Sequence, residues 1–399
     1  MSSKGMQIVA GTLLLAAAAG CGGGGAWPLD RVQCERNLEA KGEDELRELL
    51  SGAVEGDCVQ PARGEYSGSF LVPAGVVLAG NEKEPPVFLG GAAGEPALIL
   101  EGGPGSLVAH LDVASDAGHG LLVLGGPARV MRSRLSAPKG VGLVLRCFES
   151  GCDTARVEIL ENEIHDSLNG IVIEGVNAFL EDNDLHDFDG VSIEAGIGLS
   201  VTGGATLQSD RMSVRGAGEV AVLVDGAETK SAFTDLIVSE NRGRGVWAQF
   251  LRGTIDAPAL TIDGATSEIT GSAIVGLGGI DAQGIVVGTC RVRDTAPIEL
   301  LTDQGYANVG DGVGLFGGSG EVSLRDGLEV SGNARAGLLV DEGGTSIVVG
   351  TAIVEPGTGG FGVVIQRTTN AVDLDASLNQ DDPGAILGVA ASPLNVPGV

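Results

Sequence analysis

The sequence predicts an all-β fold in which short strands wind into a stack of coils, and three observations carry that prediction. Of 399 residues, 67 are glycine, 43% are hydrophobic and only 3% are aromatic, so the core is built from small and branched aliphatic side chains. From about residue 59 onward the chain consists of short apolar runs bounded by Gly, Pro, Asn or Asp, which is strand-and-turn punctuation. Two stretches nearly repeat each other: "NEIHDSLNGIVIEG" from Asn162 and "NDLHDFDGVSIEAG" from Asn183. Repetition at a fixed short period, with strands and little helix, is the signature of stacked β-coils, each burying its apolar face on its neighbours.

The elements follow in order. Residues 1–20 read as a signal peptide: Lys4 precedes an uncharged apolar run from Met6 to Ala19, too short to span a bilayer with ease. The ending "AAGC" resembles the lipobox of bacterial lipoproteins, which implies acylation of Cys21, with residues 21–33 as a lipidated tether. The expected address is the cell envelope, as an exported outer-membrane lipoprotein held to the membrane by that lipid. Residues 34–58 form a capping region whose helix is predicted over 37–52, where Leu38, Leu46, Leu49 and Leu50 share roughly one face. An exported chain can keep disulfides. Cys34 and Cys58 bracket the helix and Cys147 and Cys152 bracket a short loop, so these are the expected pairs, with Cys290 left over.

Residues 59–370 carry the coils. A Gly followed by an apolar-x-apolar step recurs at Gly120, Gly142, Gly170, Gly190, Gly245, Gly284, Gly312, Gly337 and Gly362. The duplicated stretch is then one coil lying on the next, with Ile164 on Leu185, Ile171 on Val191 and Ile173 on Ile193. Gly170 and Gly190 are expected to turn tight corners at positive φ. Residues 371–399 are a last coil or a tail, where Pro383, Pro393 and Pro397 work against regular strands.

The segment from about Glu45 to Asn370 resembles the right-handed parallel β-helix, or pectin-lyase-like, superfamily. The stretch "ELRELLSGAVEGDCVQPARGEYSGSFLVPAGVVLAG" is similar to that family's entry: a capping helix, a "GD" turn, a "G-x-Y" step and a first-coil strand. The resemblance implies a right-handed parallel β-helix (β-solenoid) of about 11 to 13 coils with an N-terminal capping helix.

The formal charge of −29 is spread along the chain and argues against nucleic-acid binding, which needs clustered Lys and Arg. "GVGLFG" and "GTGGFG" match a dinucleotide pattern, but neither opens a helix and glycine is abundant, so no nucleotide is expected. One cluster stands out. The alternation that points Ile164 and Leu185 inward turns His165 and His186 outward, next to Asp166 and Asp187. The resemblance implies that such an outward ladder can act on polysaccharide, His165, Asp166, His186 and Asp187 being the catalytic candidates. Glu174, Asp189 and Glu194 are the candidate ligands should Ca2+ take part. Against this, no Lys or Arg lies between Glu158 and Ser209, and enzymes of the family carry cations beside their carboxylates. The expectation is therefore a non-catalytic surface that binds a polysaccharide or a cell-envelope protein, without a cofactor. A polysaccharide lyase, hydrolase or epimerase is the alternative. His110 and His119 are expected at the surface.

Overall fold

The structure is a computed structural model. It describes residues 34–388 apart from 91, 148–154, 189–194, 303–304, 326, 343–346, 350–352, 356–357, 359–360, 367–371 and 375–385. Cys34–Val399 form one compact unit. The expected signal peptide, Cys21 and tether lie outside the described residues.

The unit is a β-solenoid of about 12 turns. Each full turn contributes three short strands, and strands of successive turns pair in parallel. Face 1 is a 13-stranded sheet running from Phe70–Val72 to Ile386–Gly388. Faces 2 and 3 join in one 24-stranded sheet; Ala128–Met131 on face 2 and Arg134–Ser136 on face 3 are one such pair. Two residues bend the chain between these faces. The first is left-handed without being glycine: Arg132 (φ 49°), Glu161 (55°), Asp182 (53°), Arg211 (49°) and Asp235 (54°). In three successive coils the second is a small polar residue facing inward, where Ser133 N–H donates to Asn162 Oδ1 (3.0 Å) and Asn162 N–H to Asn183 Oδ1 (3.1 Å). These side chains satisfy backbone groups that the bend takes out of the ladder.

Aliphatic columns fill the interior. Leu121, Leu143, Ile171 and Leu199 stack along face 1 and are fully buried, as are Val123, Leu145, Ile173 and Val201. Parallel strands covered on their inner side favour such branched residues. The glycines of the repeated step form a column of their own, Gly120, Gly142, Gly170 and Gly198, in which a Cβ on each would approach the next coil's carbonyl oxygen. Gly170 is therefore required by close approach and not by a positive φ, which corrects the sequence expectation.

The register along face 1 differs too. Ile171 pairs with Leu199 and Ile173 with Val201, so the step "GLSV" continues the column, and Val191 and Ile193 lie outside the described residues. Ile164 does pair with Leu185.

At the N-terminal end, Arg36–Ala40 is a strand paired with Asp57–Pro61, and the helix spans only Glu43–Gly52. It buries Leu46 and Leu50 against the first turns and covers the open core. The shorter helix follows from the pairing: strand hydrogen bonds to the first coil outcompete helix for residues before Gly42. Cys34 and Cys58 are disulfide-bonded, tying this strand to the next. Cys147 is also disulfide-bonded, while Cys152 lies outside the described residues. Cys290 is a buried free thiol whose pKa burial pushes up to about 12.

A second apolar cluster lies outside face 1, where Trp247, Phe316, Leu339 and Val364 pack together with Val309. Val309 belongs to an antiparallel hairpin, Ile298–Thr302 with Gly305–Val309, inserted between two coils. At the far end Val372–Leu374 and Ile386–Gly388 still pair in parallel, so the last coil extends beyond residue 370. Among the described residues, no helix is long and apolar enough to cross a membrane.

Candidate functional site

Face 3 presents two outward columns, because side chains two apart on a strand share a side. The first column holds Asp112, Arg134, Glu163, Asp184 and Ser213 in successive coils. Beside it run Ala114, Ser136, His165, His186 and Arg215. The imidazoles of His165 and His186 stack with centroids 5.6 Å apart and planes 17° from parallel. Both are mostly covered, with side-chain exposures of 19% and 14%.

Asp166 follows the strand Glu163–His165 and Asp187 lies near the end of Asp184–Phe188, both left-handed, at φ 45° and 61°. Aspartate tolerates this left-handed conformation better than most residues. From there each carboxylate reaches back to the preceding histidine: Asp166 Oδ2 lies 2.8 Å from His165 Nδ1, and Asp187 Oδ2 2.7 Å from His186 Nδ1. The repeated "HD" thus combines an outward strand position with a left-handed one.

The two histidines differ in their second nitrogen. His186 Nε2 lies 3.2 Å from Glu163 Oε1, so this ring sits between two carboxylates. Ionised carboxylates only accept hydrogen bonds, and an imidazole donates from both nitrogens only as the imidazolium. With Nδ1–H of His165 donated to Asp166, the lone pair of a neutral ring is on Nε2. The pair is consequently asymmetric: the His186 ring contacts two carboxylates, Asp187 and Glu163, and the His165 ring contacts Asp166.

Cations complete the site. Arg134 Nε donates to Glu163 Oε2 (2.9 Å), and Arg215 donates to Asp184 Oδ2 (3.0 Å), whose other oxygen accepts from the Ser213 hydroxyl. Partial burial pushes the Glu163 carboxyl up, but the hydrogen bond from His186 and the charge of Arg134 outweigh it, leaving Glu163 below the usual carboxylate range. Burial raises Asp112; Arg134 opposes this and the Glu163 charge adds to it. Arg215 stays 48% exposed and Arg134 57%, so both guanidinium groups can meet a ligand.

Of the residues expected from sequence, the structure brings together His165, Asp166, His186 and Asp187. Glu174 ends a face 1 strand, where it accepts from Arg146 (2.6 Å), and does not join the ladder. Asp189 and Glu194 lie outside the described residues, and among the described residues no three His, Cys, Asp or Glu side chains cluster as metal ligands. His110, at a left-handed corner (φ 54°), is buried, contrary to expectation; His119 is half-buried and its Nδ1 accepts from Val141 N–H (3.1 Å). Burial lowers the pKa of both; Arg146 adds to the effect at His119 and Arg132 at His110, where Glu82 and Glu161 oppose it.

Sequence reading missed Glu163, Asp184, Arg134 and Arg215. The two acids were within reach, since each lies two residues before its histidine. The arginines lie outside the stretch from Glu158 to Ser209, in coils on either side of the duplication.

No family model matches the sequence, and no curated protein sequence does. Solved structures with a similar fold include the mannuronan C-5 epimerase A-module of Azotobacter vinelandii, at 14% identity and TM-score 0.49, covering 87% of this chain and 97% of that one. They include the catalytic domain of a GH87 α-1,3-glucanase, at 11% identity and TM-score 0.47, covering 94% and 70%. A Dettilon tailspike protein is also similar, at 10% identity and TM-score 0.44; the match covers 72% of this chain and 62% of the tailspike.

The expectation of a non-catalytic surface is corrected. It rested on the absence of a cation near the histidines, and Arg134 and Arg215 supply two from adjacent coils. The chain folds as a parallel β-helix of about 12 turns, a fold it shares with these structures.

Proposed function

We propose that the chain is an exported enzyme acting on polysaccharide at face 3, and that its reaction is β-elimination on a uronate residue. The observation that carries this reading is the asymmetric histidine pair, set beside Glu163 and Asp184, with Arg134 and Arg215 in the adjoining coils. A uronate carboxylate on Arg215 or Arg134 would have its charge neutralised, which acidifies the adjacent C5–H. His165 Nε2 takes that proton, the C4=C5 double bond forms, and the C4–O bond breaks. His186 gives its proton to the departing oxygen. Both rings project from one side of the sheet, which suits removal of proton and leaving group from the same face of the sugar. A hydrolase fits less well. It needs a protonated carboxylic acid at the glycosidic oxygen, whereas Glu163 is held ionised and Asp184 is bound to Arg215.

Export and acylation at Cys21 are part of the same proposal, on the strength of the N-terminal sequence; labelling with a fatty-acid probe in wild type and Cys21→Ser tests it. The reaction is tested by following the ultraviolet absorbance of the unsaturated uronate product across uronate-containing polymers. Wild type is expected to produce it, and His165→Ala to lose about 100- to 10,000-fold in kcat. Absence of product from every uronate polymer, or full activity in His165→Ala, would overturn the proposal.

A further inference from the structure

A groove of about 280 Å³ opens at the bend between faces 2 and 3, directly beside the histidine pair. It shares Asp184 and Ser213 with the first outward column, so groove and ladder adjoin. Beyond them the lining comes from later coils: Asp235, Thr266 and Ile237, with Asp182 and Arg211 at the bend.

The charge of the groove differs from that of the ladder. Its one cation, Arg211, is already held by Glu181, Asp182 and Asp210. Asp235 accepts from Thr266 N–H (3.0 Å) and from the Thr266 hydroxyl (2.8 Å), which fixes its carboxylate at the groove wall. Three carboxylates against one committed guanidinium repel an anionic sugar. Hydroxyl groups, in contrast, can donate to those carboxylates. Ile237 is 44% exposed and is among the few large apolar side chains that are, giving the C–H face of a sugar ring a place to rest.

We infer that this groove is a subsite for a sugar ring without a carboxylate, next to the uronate held at the ladder. The substrate class is then a polymer that alternates uronate with neutral sugars, and not a homopolymer of uronate. The size fits one ring, since drug-sized ligands occupy cavities of roughly 300–1,000 Å³. The diffuse acidity of the chain agrees, because it opposes docking of a uniformly charged polyanion.

The inference rests on the proposed lyase reading, and the experiment separates the two. The full chain is assayed on an alternating uronate–neutral polymer and on a uronate homopolymer, in wild type, Ile237→Asp and the milder Ile237→Ala. Wild type is expected to favour the alternating polymer about tenfold or more in kcat/KM. Ile237→Asp should bring that ratio toward one, with Ile237→Ala between them, and melting curves will confirm that the variants fold. Equal rates of wild type on both polymers, or a ratio that neither variant moves, would sink the subsite while leaving the lyase reading intact. If neither polymer is cut, the lyase reading falls and the subsite with it.

Discussion

His165 and His186 stack face to face because Glu163–His165 and Asp184–Phe188 pair in register, one coil apart. The same register places Glu163 within hydrogen-bonding reach of His186, while the carboxylate in hydrogen-bonding reach of His165, among the described residues, is that of Asp166. Two copies of one short sequence thereby acquire different surroundings.

Replacing Glu163 with Gln tests that difference. The carboxylate positions His186 and pairs with Arg134. Its loss should lower kcat on a uronate polymer by about 100-fold, with KM little changed. A rise in KM at constant kcat would instead place Glu163 in substrate binding.

Gly170 should tolerate no side chain. A Cβ there would lie 2.3 Å from the Gly198 carbonyl oxygen and 2.8 Å from the Phe188 ring. Gly170→Ala is expected to cost about 1–3 kcal/mol in chemical denaturation, or more where the backbone cannot give way. Gly64, with nothing within 4 Å of its added Cβ, serves as the control. Gly64→Ala should stay within about 0.5 kcal/mol of wild type.

Reduction of the bond between Cys34 and Cys58 should loosen the N-terminal cap. A sequence separation of 24 corresponds to about 3 kcal/mol of lost restraint on the unfolded chain. The expected readout is earlier proteolysis around Glu43–Gly52 and a lower melting temperature under reductant. An unchanged melting temperature would show that helix packing alone holds the cap.

Acid should destabilise the fold. Asp57 is held below the usual carboxylate range by the Arg36 side-chain hydrogen bond and by Val54 N–H, and Asp235 by its backbone and hydroxyl bonds from Thr266. Groups lowered in this way contribute fully above the unfolded pKa, about 3.9 for aspartate. Their contribution disappears as the pH falls through the lower folded value. Melting temperature should therefore drop from about pH 5 toward pH 3, and Asp57→Asn should flatten that slope. Asp112, raised by burial, works in the opposite direction, so Asp112→Asn should steepen it.

Much of this was readable before any coordinates. Short apolar runs with glycine at one end specify coils, since each strand has a single way to hide its aliphatic side. Leu46 and Leu50 mark the cap by their helical spacing, although Arg36–Ala40 proved to be strand once a partner existed for it to pair with. "IHD" and "LHD" announced an outward histidine pair on the alternation alone. What escaped was the charged surrounding of that pair. Arg134 and Arg215 lie about thirty residues from His165 and His186 respectively along the chain, and one coil away in space.

The amino-acid order by itself determined the coil, its inward columns and the stacking of Ile164 on Leu185 and His165 on His186, because alternation and turn chemistry act over a few residues. Only the tertiary structure decided which residues meet across coils: Leu199 on Ile171, Arg134 on Glu163, Arg215 on Asp184. The physical reason is that the length of chain between strands varies from coil to coil. Lateral neighbours are consequently chosen by whichever register closes the backbone ladder and fills the core, not by their distance along the sequence.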